Sequence, residues 1–242
     1  MHITTKDLIA SLKPALFAFR DKLGDDLMVL RIESLALVVT EPGVEQKEAG
    51  HPLNVSAAAV GRNLRNLGRR KVDGTPGPDF ALARKVVLPG RGAARNAWYP
   101  TDKALHWLER LAGKINKDAG LILDAVKLAA VLREAMRRAR EATDTEVAIY
   151  RLLVLLLVLE QPGISHTELE MLGKIDATGI SRSVRNLSAI NEKGEPGPDM
   201  VAQQIDPLSP KERRVYPTIK AQQWLETVTA KINAKFLNLK PD

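Results

Sequence analysis

Residues 162–199 read PGISHTELEMLGKIDATGISRSVRNLSAINEKGEPGPD. Residues 42–79 read PGVEQKEAGHPLNVSAAAVGRNLRNLGRRKVDGTPGPD and align with them without a gap at an offset of 120, with 13 identities in 38 positions. In the later copy a core helix, apolar almost all round, is expected over Thr145–Glu160, and Gln161-Pro162-Gly163 stops it. Ser165-His166-Thr167-Glu168 has capping-box spacing: the serine accepts from a free backbone N–H and the glutamate reaches back. A short helix therefore opens there and runs to about Leu172, followed by a turn at Gly173-Lys174-Ile175. Asp176 then caps a helix to about Ile190, and Ser56 holds the same position before the helix Ser56–Arg70. Different residues with the same capping chemistry mark one helix start.

Moving outward, Asn191–Pro198 is turn chemistry throughout. Met200–Ile205 and Arg214–Thr218 read as a hairpin around the polar tip Asp206–Glu212, and Ile219–Phe236 as a closing helix. The earlier hairpin is expected at Phe80–Leu88 and Ala97–Thr101 around PGRGAAR. Tyr99–Asn116 matches Tyr216–Asn233 with 11 identities in 18 at an offset of 117, so the length change falls at the hairpin tip. Upstream, DLIASLKPALFAFR (7–20) sits over KLAAVLREAMRRAR (127–140), and Asp124–Ala142 reads as a long helix. The chain is thus read as a tandem duplication with halves 1–117 and 118–242. Helix, helix, short helix, turn, helix, hairpin, long helix is the order of a winged helix-turn-helix. The expected fold is mainly α (α+β), with two winged helix-turn-helix lobes.

Composition narrows the function. The 242 residues are 45% hydrophobic and 27% charged, ordinary globular values that exclude disordered and fibrous classes. Without cysteine there is no disulfide, thiolate metal site or cysteine nucleophile. MHITTKDLIASLK lacks the pattern of a targeting segment. The apolar run Ile149–Leu159 is far shorter than the ~20 residues a bilayer needs. A cytoplasmic, nucleoid-associated protein is expected. His2, His51, His106 and His166 show no metal-ligand spacing, Trp107 and Trp224 read as packing anchors, and the GxPGPD segments read as turns. No catalytic constellation is legible, and neither enzyme activity nor a cofactor is expected.

A net charge of +7 points to a polyanionic partner. A helix entering the major groove needs an apolar inner face and donors outside. Val60, Leu64 and Leu67 form such an inner stripe, as do Ile180, Val184 and Leu187. The candidate base- and phosphate-contacting residues are Ser56, Arg62, Asn63, Arg65, Asn66, Arg69 and Arg70 in the first helix. Thr178, Ser181, Arg182, Ser183, Arg185 and Asn186 are their counterparts in the second. Arginine can chelate guanine or clamp phosphate, and asparagine can pair with adenine. The hairpins add Arg84, Lys85, Arg91 and Arg95 in the first copy and Lys211, Arg213 and Arg214 in the second, for flanking backbone or minor groove.

LLVLLLVLEQPGISHTELEMLG (152–173), ISRSVRNL (180–187) and DPLSPKERRVYPTIKAQQWLE (206–226) resemble the MarR-like family of winged-helix bacterial regulators. That family shows a Ser-Arg pair in its recognition helix, matched by Ser181-Arg182, and a wing with an Asp and paired arginines, matched by Asp206, Arg213 and Arg214. Thr218 and Lys220 fit its entry to the last helix; Ala221 replaces the usual Gly, and Gly61 stands where the first copy would carry the Ser. The family's members are homodimers. The resemblance therefore implies a monomeric single-chain pseudo-dimer, its lobes related by a pseudo-two-fold axis, with a shared dimerisation-like bundle of helices around 5–23, 124–142, 102–116 and 219–236. It implies a bacterial or phage transcription regulator, in expectation a repressor, with recognition helices in successive major grooves about 10 bp apart. Many relatives bind small aromatic acids beside the dimerisation helices, so a small-molecule effector of unidentified chemistry belongs to the same expectation. Two alternatives stay open: a DNA-binding replication or partition protein, and a protein-interaction adaptor with degenerate winged helices.

Residues 1–117 hold 19 basic and 12 acidic residues, and the remainder 17 of each, so the excess charge lies in the first half. Removing Arg91 and Arg95 should flatten a plot of log DNA affinity against log salt more than removing Arg213 and Arg214; equal slopes contradict this.

Overall fold

In the computed structural model, which describes residues 2–86, 95–144, 147–206 and 209–238, helices dominate and strands are short. The elements in chain order are α1 (Thr5–Leu23), α2 (Val29–Thr40), β1 (Val44–Glu45), α3 (Gln46–Leu53), α4 (Ala57–Asn66), β2 (Ala81–Val86), β3 (Arg95–Pro100), α5 (Asp102–Ala119), α6 (Ala125–Ala142), α7 (Ile149–Glu160), β4 (Ile164–Ser165), α8 (His166–Gly173), α9 (Ala177–Leu187), β5 (Val201–Asp206), β6 (Ser209–Pro217) and α10 (Ile219–Asn238). The class is α+β, mainly helical, with two antiparallel sheets ordered β1-β3-β2 and β4-β6-β5. Ala81 pairs with Pro100 and Val201 with Pro217, so the hairpin registers correspond.

The strands β1 and β4 were not expected. Two residues carry no alternating pattern for sequence to reveal. They form because the chain leaving α2 and α7 turns at Gly43 (φ 88°) and Gly163 (φ 85°). Those two amides then donate to Trp98 O (2.8 Å) and Val215 O (2.9 Å) of the hairpins.

Three helix boundaries differ from expectation. The core helix starts at Ile149 instead of Thr145: Ala148 is extended, and Ile149 N donates to Leu27 O at 2.9 Å. Residues 145–146 lie outside the described set. Helix α4 stops at Asn66 instead of Arg70, and α9 at Leu187 instead of Ile190. Both end early because the following turn folds back on them. Gly77 N donates to Arg69 O and Gly197 N to Ala189 O, and Arg70–Pro76 and Ile190–Pro196 form isolated bridges. A Cβ on Gly77 would lie 2.1 Å from Gly68 O, and one on Gly197 2.2 Å from Ser188 O. The shared Pro-Gly-Pro-Asp segment is therefore a close backbone approach that only glycine allows.

The compact units do not follow the 117/118 division. Unit 1 comprises residues 1–20, 25–27 and 138–242; unit 2 comprises 21–24 and 28–137. Each unit thus takes its first helix from the opposite half of the sequence. In unit 1, α1 buries Leu8, Leu12, Leu16 and Phe19. Arg20, almost fully buried, donates to Gly173 O at the end of α8 (2.7 Å), and Lys13 pairs with Glu160. In unit 2, Arg133 of α6 donates to Thr40 Oγ1 (3.0 Å) and pairs with Glu41 at the end of α2.

An asparagine near the end of each closing helix ties down the segment entering the first helix. Asn233 accepts from Ile3 N (2.7 Å) and donates to Ile3 O (2.8 Å). Asn116 does the same with Leu123, at 2.8 and 2.7 Å. Both belong to the repeated Lys-Ile-Asn triplet, the sequence signal that could have revealed them. Asn233→Ala leaves a buried N–H and C=O unsatisfied and should lower unfolding stability by about 2 kcal/mol, measured by urea denaturation; a change within error shows that the clasp is not structural.

Candidate nucleic-acid interface

The apolar stripe fixes which face of each helix looks outward. Val60, Leu64 and Leu67 are buried in unit 2, as are Ile180, Val184 and Leu187 in unit 1. Ser56 caps α4 by accepting from Ala59 N (3.2 Å), and Asp176 caps α9 by accepting from Gly179 N (2.6 Å). The Ser165–Glu168 capping box opens α8 as expected. Arg62 and Arg65 project to solvent from α4, and Thr178, Arg182 and Arg185 from α9. Ser181 is half-buried and accepts from Arg185 at 3.2 Å.

Several expected reading residues are engaged elsewhere. Ser183 is fully buried, its hydroxyl bonded back to Gly179 O (2.6 Å), so it does not face a groove. Asn66 accepts from Val72 N (3.0 Å) and Asn186 from Glu192 N (3.4 Å), so the shared asparagine anchors the turn after the helix and is not a free adenine reader. Asn63 donates to Ala59 O of its own helix (3.0 Å). Arg69 and Arg70 are exposed but lie beyond the end of α4, on the turn. Gly61 is buried, and a Cβ there would displace the flexible end of the Gln46 side chain.

The hairpins differ in how they spend their cations. Arg84 and Lys85 are exposed on β2, and the Arg84 guanidinium lies 5.2 Å from the centroid of the Tyr99 ring. Arg95 bonds Glu45 at 2.9 Å, and that hydrogen bond holds its pKa above the ordinary arginine value. Arg91 lies outside the described residues, and Lys211 falls on β6. Arg213 is exposed. Arg214 faces three carboxylates, Asp206 (2.9 Å), Glu168 (3.4 Å) and Glu212 (3.5 Å); the Asp206 hydrogen bond is the main reason its pKa is raised.

Trp107 and Trp224 make packing and backbone contacts. Trp107 packs on Phe80 with centroids 5.1 Å apart, and buried Trp224 donates to Arg138 O at 3.1 Å. Within unit 1 a cleft of about 400 Å³ is lined by Arg20, Asp25, Tyr150, Ile175, Thr178 and Arg182. Among the described residues no cluster of His, Cys, Asp and Glu is arranged to hold a metal ion, and no helix is long and apolar enough to cross a membrane. No family model matches the chain, and no curated protein matches it.

Two ionisable groups beneath the hairpin of unit 1 have depressed pKa values. Hydrogen bonds from the Ser165 backbone and hydroxyl hold Glu168 below the ordinary carboxylate value. Burial, helped by the charge of Arg213 and opposed by Glu170 and Gln203, pushes His166 below the ordinary imidazole value. Both contributions are present above the unfolded pKa values, about 4.3 for glutamate and 6.5 for histidine. Both are lost as pH falls through the lower folded values. Denaturation midpoints should therefore drop in two steps on acidification. His166→Gln should remove the step nearer neutrality and leave the acid one, whereas an unaltered profile in H166Q contradicts the assignment.

Proposed function

We propose that this chain is a sequence-specific double-stranded-DNA-binding transcription regulator, acting as a repressor. In this reading it is a single-chain pseudo-dimer of two winged helix-turn-helix lobes that arose by duplication of a MarR-like module. The helix–short helix–helix–hairpin–helix order, present in both units, supports this reading. The observation that carries it is the outer surface of unit 2. Arg62, Arg65, Arg69, Arg70, Arg84 and Lys85 are exposed there, and none has an ion pair among the described residues. They occupy α4, the turn after it and the hairpin that follows, the elements a winged helix lays against a duplex. Arg62 and Arg65 sit on the reading helix, where guanine O6 and N7 or phosphate would be met. Arg84 and Lys85 on the wing would lie against the flanking backbone.

One observation favours a second reading, a protein-interaction adaptor. In unit 1 the positions of Arg70 and Lys85 are held by Ile190 and Ile205, 63% and 66% exposed. A surface with exposed isoleucines and internally paired arginines suits a protein as well as a phosphate backbone.

Selection of bound fragments from random duplex DNA at a stated salt concentration separates the two. The regulator reading expects an enriched motif, with affinity that falls steeply as salt rises. Arg62→Ala with Arg65→Ala should weaken binding to the selected site at least tenfold. A chain that retains no duplex at 50 mM salt rules the regulator reading out.

A further inference from the structure

The same asparagine-anchored turn follows both reading helices, but it delivers different side chains to the arginine beside it. In unit 2, Asn66 fixes the backbone of Val72, which is 57% exposed and uncharged. In unit 1, Asn186 fixes the backbone of Glu192. The Asn186 amide also donates to the Glu192 carboxylate at 3.2 Å, and that carboxylate stands 3.4 Å from Arg182 Nε. Val72 and Glu192 are equivalent positions at the offset of 120, as are Arg62 and Arg182.

We infer that Glu192 is an internal competitor for phosphate at Arg182, so that the two reading helices engage DNA unequally and the α4 surface of unit 2 supplies most of the affinity. This rests on the DNA-binding reading above and adds a regulatory residue to it. The physical argument has three parts. Glu192 is held from two sides by one asparagine, so little freedom is lost in keeping its carboxylate beside Arg182. A duplex approaching α9 must displace that carboxylate or bind beside it, and a fixed negative charge within a Debye length of about 10 Å repels phosphate. Arg62 has no such carboxylate partner among the described residues, and the residue equivalent to Glu192 there is the uncharged Val72. The wing of unit 1 repeats the pattern, since Arg214 is already surrounded by Asp206, Glu168 and Glu212.

The test is a set of single substitutions in the full chain, measured against its selected duplex by fluorescence anisotropy over a range of salt. Glu192→Gln keeps an acceptor for the Asn186 amide while removing the charge. Glu195→Gln makes the same change in net charge on the same turn without touching Arg182. Val72→Glu installs the competitor in unit 2. E192Q should tighten binding about three- to fivefold, the range an exposed ion pair permits. It should also steepen the salt slope by about one counterion. E195Q should change affinity less than about twofold, and V72E should weaken it by about three- to fivefold on the same ion-pair scale. All three positions are on an exposed turn, and thermal melts check that folding is intact. The inference is overturned if E192Q leaves affinity and slope unchanged, if E195Q matches it, or if V72E has no effect in a folded chain. A wild-type chain that binds no duplex removes the DNA reading itself, an outcome visible before any variant is made.

Discussion

Burial of three apolar side chains on one side of a short helix is the constraint on which the candidate interface depends. Val60, Leu64 and Leu67 in one unit, and Ile180, Val184 and Leu187 in the other, have no exposed alternative. Their i, i+4, i+7 spacing sets the inward face of each helix and turns the arginines between them outward. Arg62, Arg65, Arg182 and Arg185 are solvent-facing because of where the leucines and valines go. The N-caps fix where each helix begins, and the Pro-Gly-Pro-Asp turn fixes where it stops, by returning the chain onto the helix end at a distance that excludes a Cβ.

That return also redirects polar side chains that look like reading groups when only the helix is considered. Asn66 and Asn186 sit near the ends of their helices, within reach of the turn backbone, and the turn amides claim them. An amide satisfying a turn N–H stabilises the fold; the same amide facing solvent keeps its donor and acceptor free for a partner. Local competition for hydrogen bonds decides between the two. Ser183 shows the same logic on the inner face, where burial forces its hydroxyl onto the carbonyl one turn back. The outward surface of these helices is left composed mainly of arginines, some of them paired with neighbouring carboxylates.

The charge difference between the halves acquires a spatial meaning in this way. Counting residues puts the whole excess before residue 118. The structure adds that the acids of unit 1 stand against its outward arginines, Glu192 at Arg182 and three carboxylates around Arg214. In unit 2 the described ion pair at the hairpin is Arg95 with Glu45, while Arg84 and Lys85 stay exposed. Two surfaces built on one repeated sequence pattern therefore carry different numbers of cations without an ion pair among the described residues.

Periodicity, caps and turn chemistry were enough to locate the helices around the site, the capping box at Ser165, the hairpins and the inward stripe, because each is settled by residues within a few positions of one another. Helix ends at Asn66 and Leu187, the two-residue strands and the start of α7 at Ile149 were not legible. They depend on backbone hydrogen bonds to segments folded back from elsewhere, Leu27 for one and the hairpin carbonyls for another. The same holds for the compact units, which cross the boundary that the repeat suggests. A repeat is a similarity along the chain, whereas a compact unit is defined by which residues lie close together in space. Sequence by itself determined which residues are cationic and which helical face they share. Tertiary structure alone decided which of those cations are already neutralised, because an ion pair requires two groups to come within a few ångströms, and chain separation does not encode that distance.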